Sequence, residues 1–246
     1  MTSATERLPS GYAEFARYAF PPNELGYCGP ADSSVLLTEG SATDLAAHAK
    51  EFDGAWPYLG AIADAAGVTD PLDAAVVRNY WVGGPLLRAV DPDVLLSRLR
   101  SSFAGQVTGL LDALEPGEAL AHHSFHVFAV YPWIRFLDRD AEKPVQVMQD
   151  CRIRWGTVGA VDGDHAVISS RPLTFTGGSL LLDDPVQERV RWRRDGTSLA
   201  PPPVPGQIVT AHWDWLCGSL RDDEADACAV ATQASLDIVN AARSRT

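Results

Sequence analysis

The chain has 246 residues, 46% of them hydrophobic, with seven tryptophans and a formal net charge of −12. That length holds one large domain or two small ones. The acidic balance argues against nucleic acid and anionic membrane as partners, since both need a basic face, and is compatible with a basic protein partner or with a plain role in solubility.

Met1 to Ser10 is polar, with no basic start followed by an apolar run, so no signal peptide is expected. Residues 11 to about 137 read as mainly helical. Gly11 to Tyr18 is a short amphipathic start, broken at Pro21-Pro22-Asn23. Thr43 is a plausible N-cap for a helix from Asp44 to Phe52, and Trp56 to Ala66 is a further helix ended by Gly67. Asp70-Pro71 is a start signal for the next helix, which carries Val76, Val77, Tyr80 and Trp81 and stops at Gly83-Gly84-Pro85. Asp91-Pro92 repeats that signal for a helix to about Leu114, with Leu95, Leu99 and Phe103 on one face. Ala119 to Leu137 fits strand or helix, and its apolar character buries it either way. Its stretch from Phe125 onward contains His126 and Arg135 and is too short to span a bilayer.

The charged segment Asp138 to Pro144 is expected to link two domains, a helical one over 1–138 and a second over 144–246. After it, short pieces rich in Val, Ile, Thr and Trp alternate with Gly and Asp, the texture of a small β-barrel. Cys151 to Val158 reads as a strand, with a turn at Asp162-Gly163-Asp164 and a second strand over Ala166 to Ser169. Ala200 to Pro205 is donor-poor and expected as an exposed extended loop. A C-terminal helix starts with acids at Asp222, Asp223 and Glu224 and ends with Arg243 and Arg245, matching the helix dipole. The expected class is therefore α+β: a helical N-terminal domain, then a small β-barrel with a C-terminal helix.

The four cysteines, Cys28, Cys151, Cys217 and Cys228, form no C-x-x-C pair and read as reduced thiols of a cytoplasmic protein. Cys151 is the leading ligand candidate, because a thiolate suits a soft metal. Arg152 and Arg154 make at most one face of its strand cationic, and the competing reading is a buried cysteine acting as a small hydrophobe. His212 offers an imidazole, with Asp214 either holding its other nitrogen or merely solvated; the competing reading packs His212 against Trp213 or Trp215. His122, His123 and His126 supply two nitrogens to one face whether the segment is helix or strand, one short of the usual three protein ligands. Cys28, in the turn Tyr27-Cys28-Gly29-Pro30, makes a nucleophile site with His123 or His126 under an alternative, small-molecule enzyme reading. Cys217 and Cys228 read as packing at helix flanks. No Walker loop, no dinucleotide-binding glycine motif and no serine-hydrolase elbow is present.

A leading cysteine on a small barrel, the strand Pro205-Gly-Gln-Ile-Val-Thr-Ala-His212 and a closing Ala- and Glu-containing helix resemble the hydrogenase-maturation chaperones of the HypC/HupF family, over roughly residues 148 to 240. The start Ala16-Arg-Tyr-Ala-Phe-Pro-Pro-Asn-Glu-Leu-Gly-Tyr-Cys-Gly-Pro30 is similar to that of actinobacterial proteins associated with [NiFe]-hydrogenase gene clusters. The first resemblance implies an OB/HypC-like barrel in which Cys151 and His212 hold an iron-dicyanide-carbonyl unit in transit. It implies a non-catalytic accessory or maturation role, with the hydrogenase large subunit or other maturation proteins as partners.

Overall fold

The computed structural model describes residues 8–37 and 41–245; most of the polar start, Met1 to Arg7, lies outside them. The fold is α+β. Helices α1 (Ser10–Glu24), α2 (Ala42–Lys50), α3 (Trp56–Ala66), α4 (Ala74–Trp81) and α5 (Pro92–Ser102) come first. A short α6 (His123–Phe125) follows and leads into α7 (Glu142–Cys151).

The prolines expected to break α1 lie inside it, in its last turn, where the helix continues to Glu24. A proline there removes a donor without needing to terminate the helix, and the carbonyl four residues back is left free. Ser41, not Thr43, caps α2, its Oγ accepting from Asp44 N at 3.1 Å. Helix α3 has the expected bounds, and Gly67 closes it in the left-handed conformation at φ 68°. Asp70 holds a turn by accepting from Leu72 N at 2.9 Å, so α4 begins later, capped by Asp73.

Asp91 starts α5 as expected, but that helix stops at Ser102 instead of reaching Leu114. The chain turns through Gly105 at φ 78°. The Gly109 and Leu110 amides then bond the Val130 and Ala129 carbonyls, both at 2.7 Å, in place of the helix ladder. The Arg100 guanidinium ties the returning segment down at the Leu114 carbonyl, 2.7 Å away. Ala119 to Leu137 is neither strand nor one helix: α6 runs into a π-helical turn over His126–Val130, and a 3₁₀ turn over Pro132–Phe136 follows.

Cys151 is the last residue of α7 rather than the first of a strand. The Asp138–Pro144 segment carries the first turn of that helix, in which Pro144 needs no partner for a missing N–H. Strands β1 (Arg154–Asp162), β2 (His165–Ser170), β5 (Val186–Arg191), β6 (Ile208–His212) and β7 (Trp215–Leu220) close into a barrel in the order β1-β2-β5-β7-β6. Strands β3 (Leu173–Thr176) and β4 (Ser179–Leu182) form a separate hairpin. All pairings in the barrel are antiparallel except β5 with β7. Val158, Ile168, Val190 and Leu216 fill its interior. The segment 200–205 is loop, as its prolines require.

Helix α8 (Asp222–Arg243) closes the fold, its acidic first turn fastened where Arg221 N donates to Glu224 at 2.9 Å. It packs on α6 and on β7. One continuous buried cluster joins Phe15, Tyr58 and Tyr80 of the helices to Trp215 of the barrel and Leu236 of α8. Cys217 therefore sits in a strand, and Cys228 on the buried side of α8. No helix among the described residues is long and apolar enough to cross a membrane.

Candidate metal centre

His212 ends β6, a strand buried along its last four residues. Two bonds from Tyr18 of α1 fix it. The Tyr18 hydroxyl meets Thr210 Oγ1 at 2.9 Å, and the Tyr18 carbonyl accepts from His212 Nδ1 at 2.6 Å. Pro22, which has no N–H, is the reason that carbonyl is free inside a helix. A carbonyl only accepts, so His212 carries its proton on Nδ1 and presents Nε2 as a bare lone pair. Nε2 is buried and has no hydrogen-bond partner. Of the two expectations for Asp214 the solvated one is met: its half-exposed carboxylate pairs with Arg191 at 3.2 Å rather than with His212. The His212 ring lies near Trp81 and His123, at centroid distances of 5.8 and 5.1 Å, and Trp215 is its cross-strand register partner.

Cys151 is brought to this place by the end of α7. The Asp150 carbonyl accepts from Trp213 N at 2.7 Å, tying the helix end to the turn after His212. Arg154, only 3% exposed, clamps the same junction. Its guanidinium donates to the Gln149 and Asp150 carbonyls at 3.1 and 3.0 Å and to the Trp213 carbonyl, with Glu188 at 3.1 Å as counter-charge. Trp213 adopts φ 52°, a conformation that costs a non-glycine residue about 1–3 kcal/mol and that the clamp holds in place.

His123 completes the group. His122 caps α6 through its Nδ1, which accepts from Ser124 N at 3.2 Å and turns the preceding imidazole to a separate role. His123 Nε2 donates to the Cys151 carbonyl at 2.8 Å, and Nδ1 lies 3.0 Å from the Tyr80 hydroxyl. Tyr80 in turn reaches the Gly54 carbonyl at 2.7 Å. If the His123 proton moves to Nδ1, that chain becomes Nδ1–H to Tyr80 to Gly54, and Nε2 is released as a ligand. The ligand atoms of His123, Cys151 and His212 all lie within 4.8 Å of one another, and all three residues are buried.

Electrostatically the group is neutral. Burial holds His123 down at about 4, against the pull of the Cys151 carbonyl, and holds His212 well below the ordinary imidazole range. Burial pushes the Cys151 thiol up, reinforced by Cys28 and Asp150, while Trp213 and Arg154 pull the other way. Two neutral imidazoles and a thiol in a buried pocket are a nitrogen, nitrogen and sulfur donor set. It suits zinc or a late first-row ion, and a bound cation would supply the charge that turns the thiol into a thiolate.

A small cavity of about 30 Å³ adjoins the group. Cys28, Tyr80, Trp81, His123, His126 and Cys151 are among its walls. Cys28, His123 and His126 of the enzyme reading and Cys151 of the ligand reading thus line one cavity, while His212 is not among its walls. Cys28 is half-buried; burial, with Asp53 nearby, pushes its thiol up to about 12. Burial lowers His126 to about 3, and its Nδ1 pairs with Tyr58 at 3.2 Å. All four thiols are free.

The sequence model of one family matches residues 7–246. The chain belongs to DUF6390, a family of unknown function. No curated protein and no solved structure matches it. The residue that sequence reasoning did not join to Cys151 and His212 in this DUF6390 protein is His123. Its only local signal was the histidine-rich segment itself, whose partners lie on elements distant in sequence.

Proposed function

We propose that the protein binds a soft or borderline transition-metal ion through His123, Cys151 and His212 and acts as a carrier or accessory protein rather than by turnover. One observation carries this reading: three ligating side chains from α6, α7 and β6 converge within 4.8 Å, one of them presenting a buried imidazole nitrogen with no partner. Leaving a buried polar atom unsatisfied costs about 1–3 kcal/mol, which a bound cation would recover.

A narrower form follows from the HypC/HupF resemblance. In it the barrel is of the OB/HypC type, the cargo is the iron-dicyanide-carbonyl unit, and the recipient is a [NiFe]-hydrogenase large subunit or a maturation partner. The pairing of Cys151 with His212 supports it, since these are the two residues the resemblance singles out. The buried indole N–H of Trp81, which makes no hydrogen bond and belongs to a wall of the cavity, adds a donor that a cyanide nitrogen would accept.

The enzyme reading built on Cys28, His123 and His126 has a shared cavity in its favour. A nucleophilic cysteine needs a thiolate, however, and a thiol near 12 beside imidazoles near 3 and 4 is not activated.

The test is metal content and a cobalt(II) spectrum of the chelator-stripped, reloaded protein. One ion per chain with a thiolate-to-cobalt band is expected, both lost in Cys151→Ala and weakened in His212→Ala and His123→Ala. Uptake that is unchanged in the Cys151 and His212 variants would overturn the assignment. For the narrower form, protein purified without oxygen beside the maturation machinery should show cyanide and carbonyl infrared stretches that vanish in Cys151→Ala.

A further inference from the structure

The buried group needs a way in. A second hollow of about 380 Å³ opens on the surface beside it, with Cys28, Glu51, Asp53 and Phe103 among its walls. Tyr27, Cys28, Gly54, His126 and Tyr131 line both this outer cleft and the inner cavity, so they are the partition between them. Two of those five are metal-ligating types. On the outer side stand the carboxylates Glu51 and Asp53, both exposed. On the inner side stand Cys151 and His123.

The partition is built. Asn23 holds the Cys28 turn by donating to the Cys28 and Pro30 carbonyls at 2.8 and 2.6 Å. Gly29, at φ 81°, lies against Phe52 and Asn23 with no room for a side chain. The Tyr27 ring packs on Trp213 at 4.2 Å, which couples this wall to the turn after His212. Gly54 has no side chain because a Cβ there would meet His126 Nε2 at 2.8 Å. The order from outside to inside is carboxylates, then thiol and imidazole, then thiol and two imidazoles. Hard oxygen donors hold a hydrated cation, and softer donors take it once its water is shed.

We infer that Cys28 and His126 form a relay site that passes a divalent transition-metal ion from the acidic outer cleft to His123, Cys151 and His212; this rests on the metal-binding reading. The exchange is balanced. Metal capture at Cys28 releases the thiol proton to the cleft. Transfer then converts the Cys28 thiolate–metal bond and the Cys151 thiol into the Cys28 thiol and a Cys151 thiolate–metal bond. The proton stays inside the cavity, and no oxidant or reductant is needed.

The experiment is stopped-flow loading of the full chain with cobalt(II), following the thiolate-to-cobalt band. In Cys28→Ser the band should reach the same end point, which reports Cys151, but form about tenfold more slowly, equal to about 1.4 kcal/mol of barrier. His126→Gln should slow loading in the same direction, and either variant suffices if the other does not fold. Wild-type rates in the folded variants would overturn the relay while leaving the buried centre standing. A wild-type protein that never takes up cobalt would overturn the centre and the relay together.

Discussion

Acid should unfold the metal-free protein well above the range set by its surface carboxylates. His122 and His123 are 0% and 6% exposed, and burial lowers them from 6.5 to about 3 and about 4. Both are neutral when folded and take up protons when unfolded. Their contribution is therefore fully present above pH 6.5 and is lost as pH falls through the interval between 6.5 and the folded values. At pH 5 each costs about 2 kcal/mol, from about 1.4 kcal/mol per pH unit over the interval below 6.5. Together they remove about 4 kcal/mol from a total that for such domains is about 5–15 kcal/mol. His126 and His212 act with the same sign. Urea unfolding of chelated protein at pH 7.5, 6 and 5, at constant m-value, measures this. His122→Gln should remove one of the titrating protons and flatten the pH dependence. Equal stability at pH 7.5 and pH 5 would refute the buried neutral state of these imidazoles.

Two further substitutions probe the scaffold of the centre. Arg154→Met takes the counter-charge from Glu188 and one donor each from the Gln149, Asp150 and Trp213 carbonyls, and should cost about 3–5 kcal/mol in chemical unfolding and weaken metal retention. A loss below about 1 kcal/mol would show that the clamp is not needed. Gly156→Ala drives a methyl group into the Ser169 carbonyl across the β1–β2 pair and should cost about 1–3 kcal/mol, read as a lower melting temperature. An unchanged melting temperature would mean that the pair spreads freely at that point.

The chain's own residues determined most of what is local. Trp56 to Ala66 with Gly67, the Asp91 cap, the acidic start of α8 and the proline-rich loop each follow from interactions within a few residues, and each is found in place. The sequence also marked Cys28, Cys151, His212 and the histidine segment as candidates for carrying chemistry. Tertiary structure decided where local signals met stronger partners. Helix α5 ends early because Gly109 and Leu110 find carbonyl partners at Val130 and Ala129. Helix α1 runs through Pro22, and the Tyr18 carbonyl that this proline frees is taken by His212. The union of His123 with Cys151 and His212 depends on the packing of α6, the end of α7 and the register of β6. No periodicity encodes that meeting, because ligand convergence is fixed by distances between elements and propensity acts only along the chain.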